Sequence, residues 1–258
     1  MTTRDTPWPD GMPCWADVGA PDIAKAATFY SDVFGWTIQP GGPDTGGYSV
    51  AELNGRGVAG VGPKMGPAEA PTMWTSYLAT SDADATAAKI KCAGGKLVMD
   101  AMDVMDAGRM AVAVDPAGAA FGIWQAGAFP GAQIVNEPGA MLWNEQVSRD
   151  FEGSKAFYAA VFGYEYADMS GDGFSYATFK VEGRDVGGIG DLHAGVPADT
   201  PAAWRVYFGT ADTDASVARV QANGGSVIRE PVDHPYGRMS TVADNQGAAF
   251  SLLAVTPT

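Results

Sequence analysis

Two short segments of this sequence set a tryptophan two positions before a carboxylate: Trp15-Ala16-Asp17 and Trp143-Asn144-Glu145. On a β-strand, residues i and i+2 share a face, so each indole and carboxylate would point the same way. The same spacing joins Thr75 to Tyr77, Arg205 to Tyr207 and Gly122 to Trp124. A carboxyl beside an apolar aromatic wall loses hydration, and its pKa rises toward neutrality. Asp17 and Glu145 are therefore candidate general acids or bases. Trp15, Trp143, Trp124, Tyr77 and Tyr207 could stack on a flat ligand while offering N–H and O–H donors. Arg205 adds a fixed positive charge, either for a ligand or to neutralise Asp17 or Glu145.

The elements that must position these residues come in a repeat. Trp15, Asp22, Phe29, Tyr30, Phe34 and Gly35 recur as Trp143, Asp150, Phe157, Tyr158, Phe162 and Gly163, an offset of 128. Tyr48, Gly55, Arg56 and Val58 recur as Tyr176, Gly183, Arg184 and Val186 at the same offset. Trp74, Tyr77 and Gly94-Gly95 return as Trp204, Tyr207 and Gly224-Gly225. Gly108-Arg109-Met110 returns as Gly237-Arg238-Met239, and Gly118 to Phe121 as Gly247 to Phe250. The chain is two copies of one unit. The organisation expected is a tail over 1–12, a first unit over 13–125, a linker rich in Gly, Ala and Pro over 126–140, and a second unit over 141–258.

Each copy alternates strands and helices. Cys14 to Val18 reads as a strand, followed by a helix with Asp22 as N-cap and Gly35 as its stop. Asn54-Gly55 between apolar runs predicts a hairpin. The pattern then restarts with a strand from Trp74, a helix from Asp82 ending at Gly94-Gly95, and strands over Met110 to Val114 and Ala119 to Gln125. Each copy is thus two β-α-β-β-β modules, four in the chain.

Composition narrows the function classes. The 258 residues carry 30 acidic and 16 basic side chains, a net charge of −14. That excess repels phosphate backbones, so nucleic acid is not an expected partner. A hydrophobic fraction of 46% with 10% aromatics fits a globular core. No apolar run is long enough to span a membrane and no apolar leader is visible. Two cysteines, Cys14 and Cys92, are too few for a disulfide framework. The expected setting is cytoplasmic, as a monomer or homodimer with a small-molecule ligand.

The pattern Asp22-x6-Phe29-Tyr30-x3-Phe34-Gly35, a helix ending in Gly94-Gly95, then Asp115-Pro116-Ala117-Gly118 before a last apolar strand, occurs twice in order. It resembles the vicinal oxygen chelate superfamily, the glyoxalase, bleomycin-resistance and extradiol-dioxygenase group. It is similar in particular to two-unit glyoxalase-like members of hydroxylase type. The resemblance implies an α+β fold of four βαβββ modules in two tandem units, each a cupped mixed sheet with helices outside. It also implies metal ligands at four cup positions. Here those fall on Trp15, Gly60, Thr75 and Gly122, and on Trp143, Gly188, Arg205 and Ser251. None is a good donor for a divalent ion. The two histidines, His193 and His234, lie in the second copy without counterparts in the first. No metal and no cofactor are expected.

Each candidate also has a plain reading. Trp15 and Trp143 fill space, Tyr77 and Tyr207 pack, and Asp17 and Glu145 are solvated or ion-paired. Three functions stand: a protein that binds, and transforms without metal, a small hydrophobic or aromatic metabolite by lyase, isomerase or hydroxylase-like chemistry; a non-catalytic sequestering or resistance protein; and an interaction protein with filled cups. A metal-dependent lyase or dioxygenase ranks last. Whether neighbouring modules pair, or the copies exchange halves, is open.

Overall fold

The computed structural model describes residues 2–67, 69–192 and 196–254. Ahead of the first copy lies β1 Thr2–Thr3, and the copy's own elements are β2 Pro13–Ala20, α1 Ile23–Phe34, β3 Thr37–Ile38, β4 Ser49–Leu53, β5 Arg56–Pro63, β6 Trp74–Ala79, α2 Ala83–Cys92, β7 Lys96–Val104, β8 Gly108–Val114 and β9 Ala120–Ala126. A short β10 at Ile134–Val135 follows. The second copy has β11 Met141–Ser148, α3 Phe151–Phe162, β12 Glu165–Asp168, β13 Tyr176–Val181, β14 Arg184–Asp191, β15 Ala203–Gly209, α4 Thr213–Ala222, β16 Ser226–His234, β17 Gly237–Ala243 and β18 Ala249–Ala254.

Local chemistry sets these bounds. All four helices start at an aspartate, Asp22, Asp82, Asp150 and Asp212, whose side chain accepts from the backbone N–H three residues on. Each such cap satisfies a donor that the first helical turn leaves open. Gly35 and Gly163 stop α1 and α3 in the left-handed region at φ 73°. The β4–β5 hairpin turns through Asn54 and Gly55, both at positive φ. In the second copy the same turn is made by Glu182 and Gly183.

Neighbouring modules pair. One sheet runs β3-β4-β5-β2-β6-β9-β8-β7, and the other runs β12-β13-β14-β11-β15-β18-β17-β16. At each centre the first strand of one module meets the first strand of the next, antiparallel: β2 with β6, and β11 with β15. This settles the pairing left open by the sequence, and the copies do not exchange halves within a sheet.

The copies do exchange cores. One cluster joins Phe29, Tyr30 and Val33 of α1 to Val217, Val220, Phe250 and Leu252 of the fourth module. The other joins Ile90, Phe121 and Ile123 of the second module to Phe157, Tyr158 and Ile189 of the third. Tyr30 donates to Asp244 Oδ2 at 2.7 Å and accepts from Trp74 Nε1 at 3.1 Å. Tyr158 repeats this with Asp115 at 2.9 Å and Trp204 at 2.7 Å. The helices thus lie on the convex side of each sheet, where the copies meet, and the concave faces point away from that contact.

The stretch between the copies is structured. β10 pairs with β1 and β11. Ala132, Ile134 and Ala140 are buried. Among the described residues, no helix is long and apolar enough to cross a membrane.

Candidate functional site

The residues singled out by spacing gather on the concave faces. In the first, Trp15 stands opposite Tyr77 and Asp17 opposite Thr75 across β2 and β6. Asp17 also partners Gly60 on β5, and Tyr77 partners Gly122 on β9. In the second, Trp143 faces Tyr207 and Glu145 faces Arg205 across β11 and β15. Glu145 partners Gly188, and Tyr207 partners Ser251. Trp124 sits on β9 opposite Met110. Antiparallel partners share a face, so each set lines one surface.

A residue that spacing alone did not single out completes each floor. Tyr48, just before β4, reaches across β5 to β2. Its hydroxyl accepts from Trp15 Nε1 at 2.8 Å and donates to Asp17 Oδ2 at 3.2 Å. Tyr176 does the same in the second copy, accepting from Trp143 Nε1 at 2.9 Å and bonding Glu145. The tyrosine rings need bare backbone beneath them. A Cβ on Gly60 would overlap the Tyr48 hydroxyl, and one on Gly188 the Tyr176 hydroxyl. A Cβ on Gly122 would overlap the Tyr77 ring. The only advance signal was that Tyr48 and Tyr176 recur at the common repeat offset.

Electrostatics follow from this packing. Burial pushes the Asp17 carboxyl up to about 7, against the Tyr77 and Tyr48 hydroxyls, which pull it down by bonding the charged form. Burial also holds Tyr48, Tyr77 and Tyr207 well above the ordinary phenol range, and the adjacent carboxylates add to that. In the second floor, Tyr207 donates to Glu145 Oε1 at 2.7 Å, and Arg205 approaches the same oxygen at 3.7 Å. Arg205 therefore meets Glu145, not Asp17.

The two faces are covered differently. Phe129, from the stretch between the copies, sets its ring edge-on to Trp15 with centroids 4.9 Å apart, and 6.1 Å from Trp124. Trp124 Nε1 donates to the Phe129 carbonyl at 3.1 Å. Trp15 is accordingly 4% exposed, whereas Trp143 is only half-buried. Outward from the floors, Val98 and Met102 in the first copy and Ile228 and Val232 in the second remain exposed. Cavities of about 260 and 300 Å³ lie elsewhere, around Asp10 and the end of α3.

The four positions where the resemblance implies metal ligands do not form a donor set. They hold an indole, two glycines roofed by tyrosines and a threonine in one copy. In the other they hold an indole, a roofed glycine, a guanidinium and a serine. Among the described residues, no three His, Cys, Asp or Glu side chains converge. His234 is exposed at the end of β16, 5.3 Å from the Tyr236 ring. His193 lies outside the described residues. Arg109 and Arg238 are ion-paired, Arg109 to Asp84 and Asp103, and Arg238 to Asp214 and Asp233.

Comparison with known proteins bears on the family and the fold. CFP32 of Mycobacterium tuberculosis, whose name calls it a glyoxylase, is 40% identical over 255 residues, covering 96% of each chain. The anthracycline biosynthesis protein DauV of Streptomyces sp. strain C5 is 38% identical over 257 residues, covering 94% of this chain and 93% of DauV. Among solved structures, the Mn(II)-bound glyoxalase of Novosphingobium aromaticivorans superposes with a TM-score of 0.67 at 17% identity, over 95% of this chain and 82% of that one. The 2,3-dioxygenase LapB of Pseudomonas sp. KL28 gives 0.66 at 12% identity, over 98% and 94%. At such identities these two structures speak for the fold alone. The model of the Glyoxalase/Bleomycin resistance protein/Dioxygenase superfamily matches residues 15–123 and 140–252. The duplicated βαβββ modules, their order and this match establish that the chain belongs to that superfamily.

Proposed function

We propose that the concave faces bind a small, flat, largely apolar molecule, and that the carboxyl on the floor exchanges a proton with it. The observation that carries this reading is the Trp–Tyr–carboxylate floor built twice, with Val98 and Met102 exposed in the first copy and Ile228 and Val232 in the second. Indole and phenol faces suit an aromatic ligand. The relatives named for anthracycline biosynthesis support that ligand class.

The chain's own groups suffice for proton transfer. Asp17, titrating near neutrality, can hold or release a proton at pH 7, and the Tyr48 and Tyr77 hydroxyls stabilise its charged form. In the second floor, Tyr207 donates to Glu145 and Arg205 lies beside it. The donor chemistry of the floors suits acid–base work on a C–H or O–H acid, by a lyase or isomerase route.

A second reading, sequestration or interaction without turnover, gains from the first face, where Phe129, Trp15 and Trp124 pack on one another. Titration with 1,8-dihydroxyanthraquinone, followed by quenching of tryptophan fluorescence, tests the primary reading. Saturable quenching that weakens in Trp143→Phe is expected. Linear, unsaturated quenching would contradict it.

A further inference from the structure

The two faces are not chemically equivalent, and the difference names a ligand class. This step rests on the reading of the faces as ligand sites. Where the first face has Thr75 opposite its carboxylate, the second has Arg205. Where the first has Trp124 under Phe129, the second has Leu253 opposite Met239. The first floor is roofed by an aromatic cluster, whereas among the described residues no aromatic ring packs on Trp143.

Arg205 is uncommitted in a way that the repeated arginines are not. Arg109 and Arg238 each hold two aspartates at 3.0 Å or less. The Arg205 side chain makes no hydrogen bond among the described residues, and its ionic partner there is Glu145 at 3.7 Å. The Glu145 oxygen it approaches already accepts from Tyr207 at 2.7 Å. The Arg205 side chain is 36% exposed, on the same face as Trp143. A guanidinium offers five N–H donors in a planar fork, the shape that grips a carboxylate or an enolate. Held on an aromatic floor with its fork unused, it is one half of an organic-anion site.

We infer that the ligand of the second concave face is an aromatic anion, a carboxylate, phenolate or enolate. Its charged group sits on Arg205, its ring against Trp143, and its apolar body extends over Leu253 and Met239 toward Ile228 and Val232. Glu145 disfavours small inorganic anions, which bring charge but no apolar surface to offset the repulsion. An extended ligand can place its charge on the outer edge of the guanidinium and bury its rings.

The test compares two probes of one shape, anthraquinone-2-carboxylate and the uncharged anthraquinone-2-carboxamide, by isothermal titration calorimetry. A carboxylate preference of about tenfold or more is expected, the worth of one charge-assisted pair. Arg205→Thr, which installs the first face's residue, should bring the carboxylate down to the affinity of the amide, and Arg205→Lys should restore part of the preference. A matching circular dichroism melt shows that the variant is folded. Equal affinity for the two probes, or a preference that survives in folded Arg205→Thr, overturns the inference and leaves the binding reading standing. Failure of both probes to bind overturns the binding reading itself.

Discussion

Tyr48 reaches Asp17 across an intervening strand, donating at 3.2 Å. Strands lie about 4.8 Å apart, so the side chain must span two spacings, which a tyrosine can do only over bare backbone. Gly60 and Gly62 of β5 provide it, and both would lose that room with a Cβ. The glycines, the tyrosine and the buried carboxyl are therefore one device, and Gly188, Tyr176 and Glu145 repeat it.

The Asp17 carboxyl should titrate with a midpoint near 7 in a 13C NMR titration of the aspartate carboxyls, against ordinary values near 4 for exposed aspartates. Because the folded pKa is raised, the folded state binds the extra proton. The stability this carboxyl contributes is fully present below about pH 4 and is lost as pH rises through 7. Asp17→Asn should remove that slope, gaining about 1–4 kcal/mol relative to wild type between pH 4 and pH 8 in urea melts. Parallel pH profiles would refute this.

Tyr48→Phe should raise the Asp17 midpoint further, since it deletes a donor to the charged form and leaves the burial that opposes charge. Tyr77→Phe should act in the same direction. Both shifts are readable in the same titration, and a lowered midpoint would contradict the hydroxyls' role in stabilising the charged form.

Gly60→Ala should displace Tyr48 and lower stability by about 1–3 kcal/mol, the usual range for forcing extra atoms into a packed site. Trp15 would lose its hydroxyl partner, which a shift in its emission would report. Gly46→Ala, also at a glycine but with open space around it, separates backbone strain from crowding. A Gly60→Ala protein with native emission and a larger loss in Gly46→Ala would contradict the account.

Tyr30→Phe and Tyr158→Phe should each destabilise by about 1–3 kcal/mol, because each leaves a buried carboxylate short of a donor. Since these bonds join opposite copies, the two halves should still unfold together in wild type. A double variant that melts in two calorimetric steps would show that the bonds hold the copies in one cooperative unit, and unchanged stability in both single variants would refute their role.

Much of this was legible in the sequence, for local reasons. The repeat, the aspartate caps and the glycine stops depend on neighbours a few residues away. The shared faces of Trp15 with Asp17 and Trp143 with Glu145 follow from strand alternation. What escaped depends on order in space. Tyr48 looked like an ordinary strand residue until β4 proved to lie next but one to β2. Phe129 sits in a Gly-, Ala- and Pro-rich stretch that reads as connection, yet it roofs the first floor. β16 exposes most of its residues and so lacks the apolar alternation that marks a half-buried strand. The partner of Arg205 could be read only once neighbouring modules were seen to pair.

The most direct measurement is a crystal structure of the protein grown with anthraquinone-2-carboxylate and millimolar Mn2+ and Zn2+, with anomalous data for both ions. The account predicts flat density against Trp143 with its carboxylate on Arg205, and no anomalous peak bonded to Asp17 or Glu145. An ion coordinated by either carboxylate, or two empty concave faces, would contradict it.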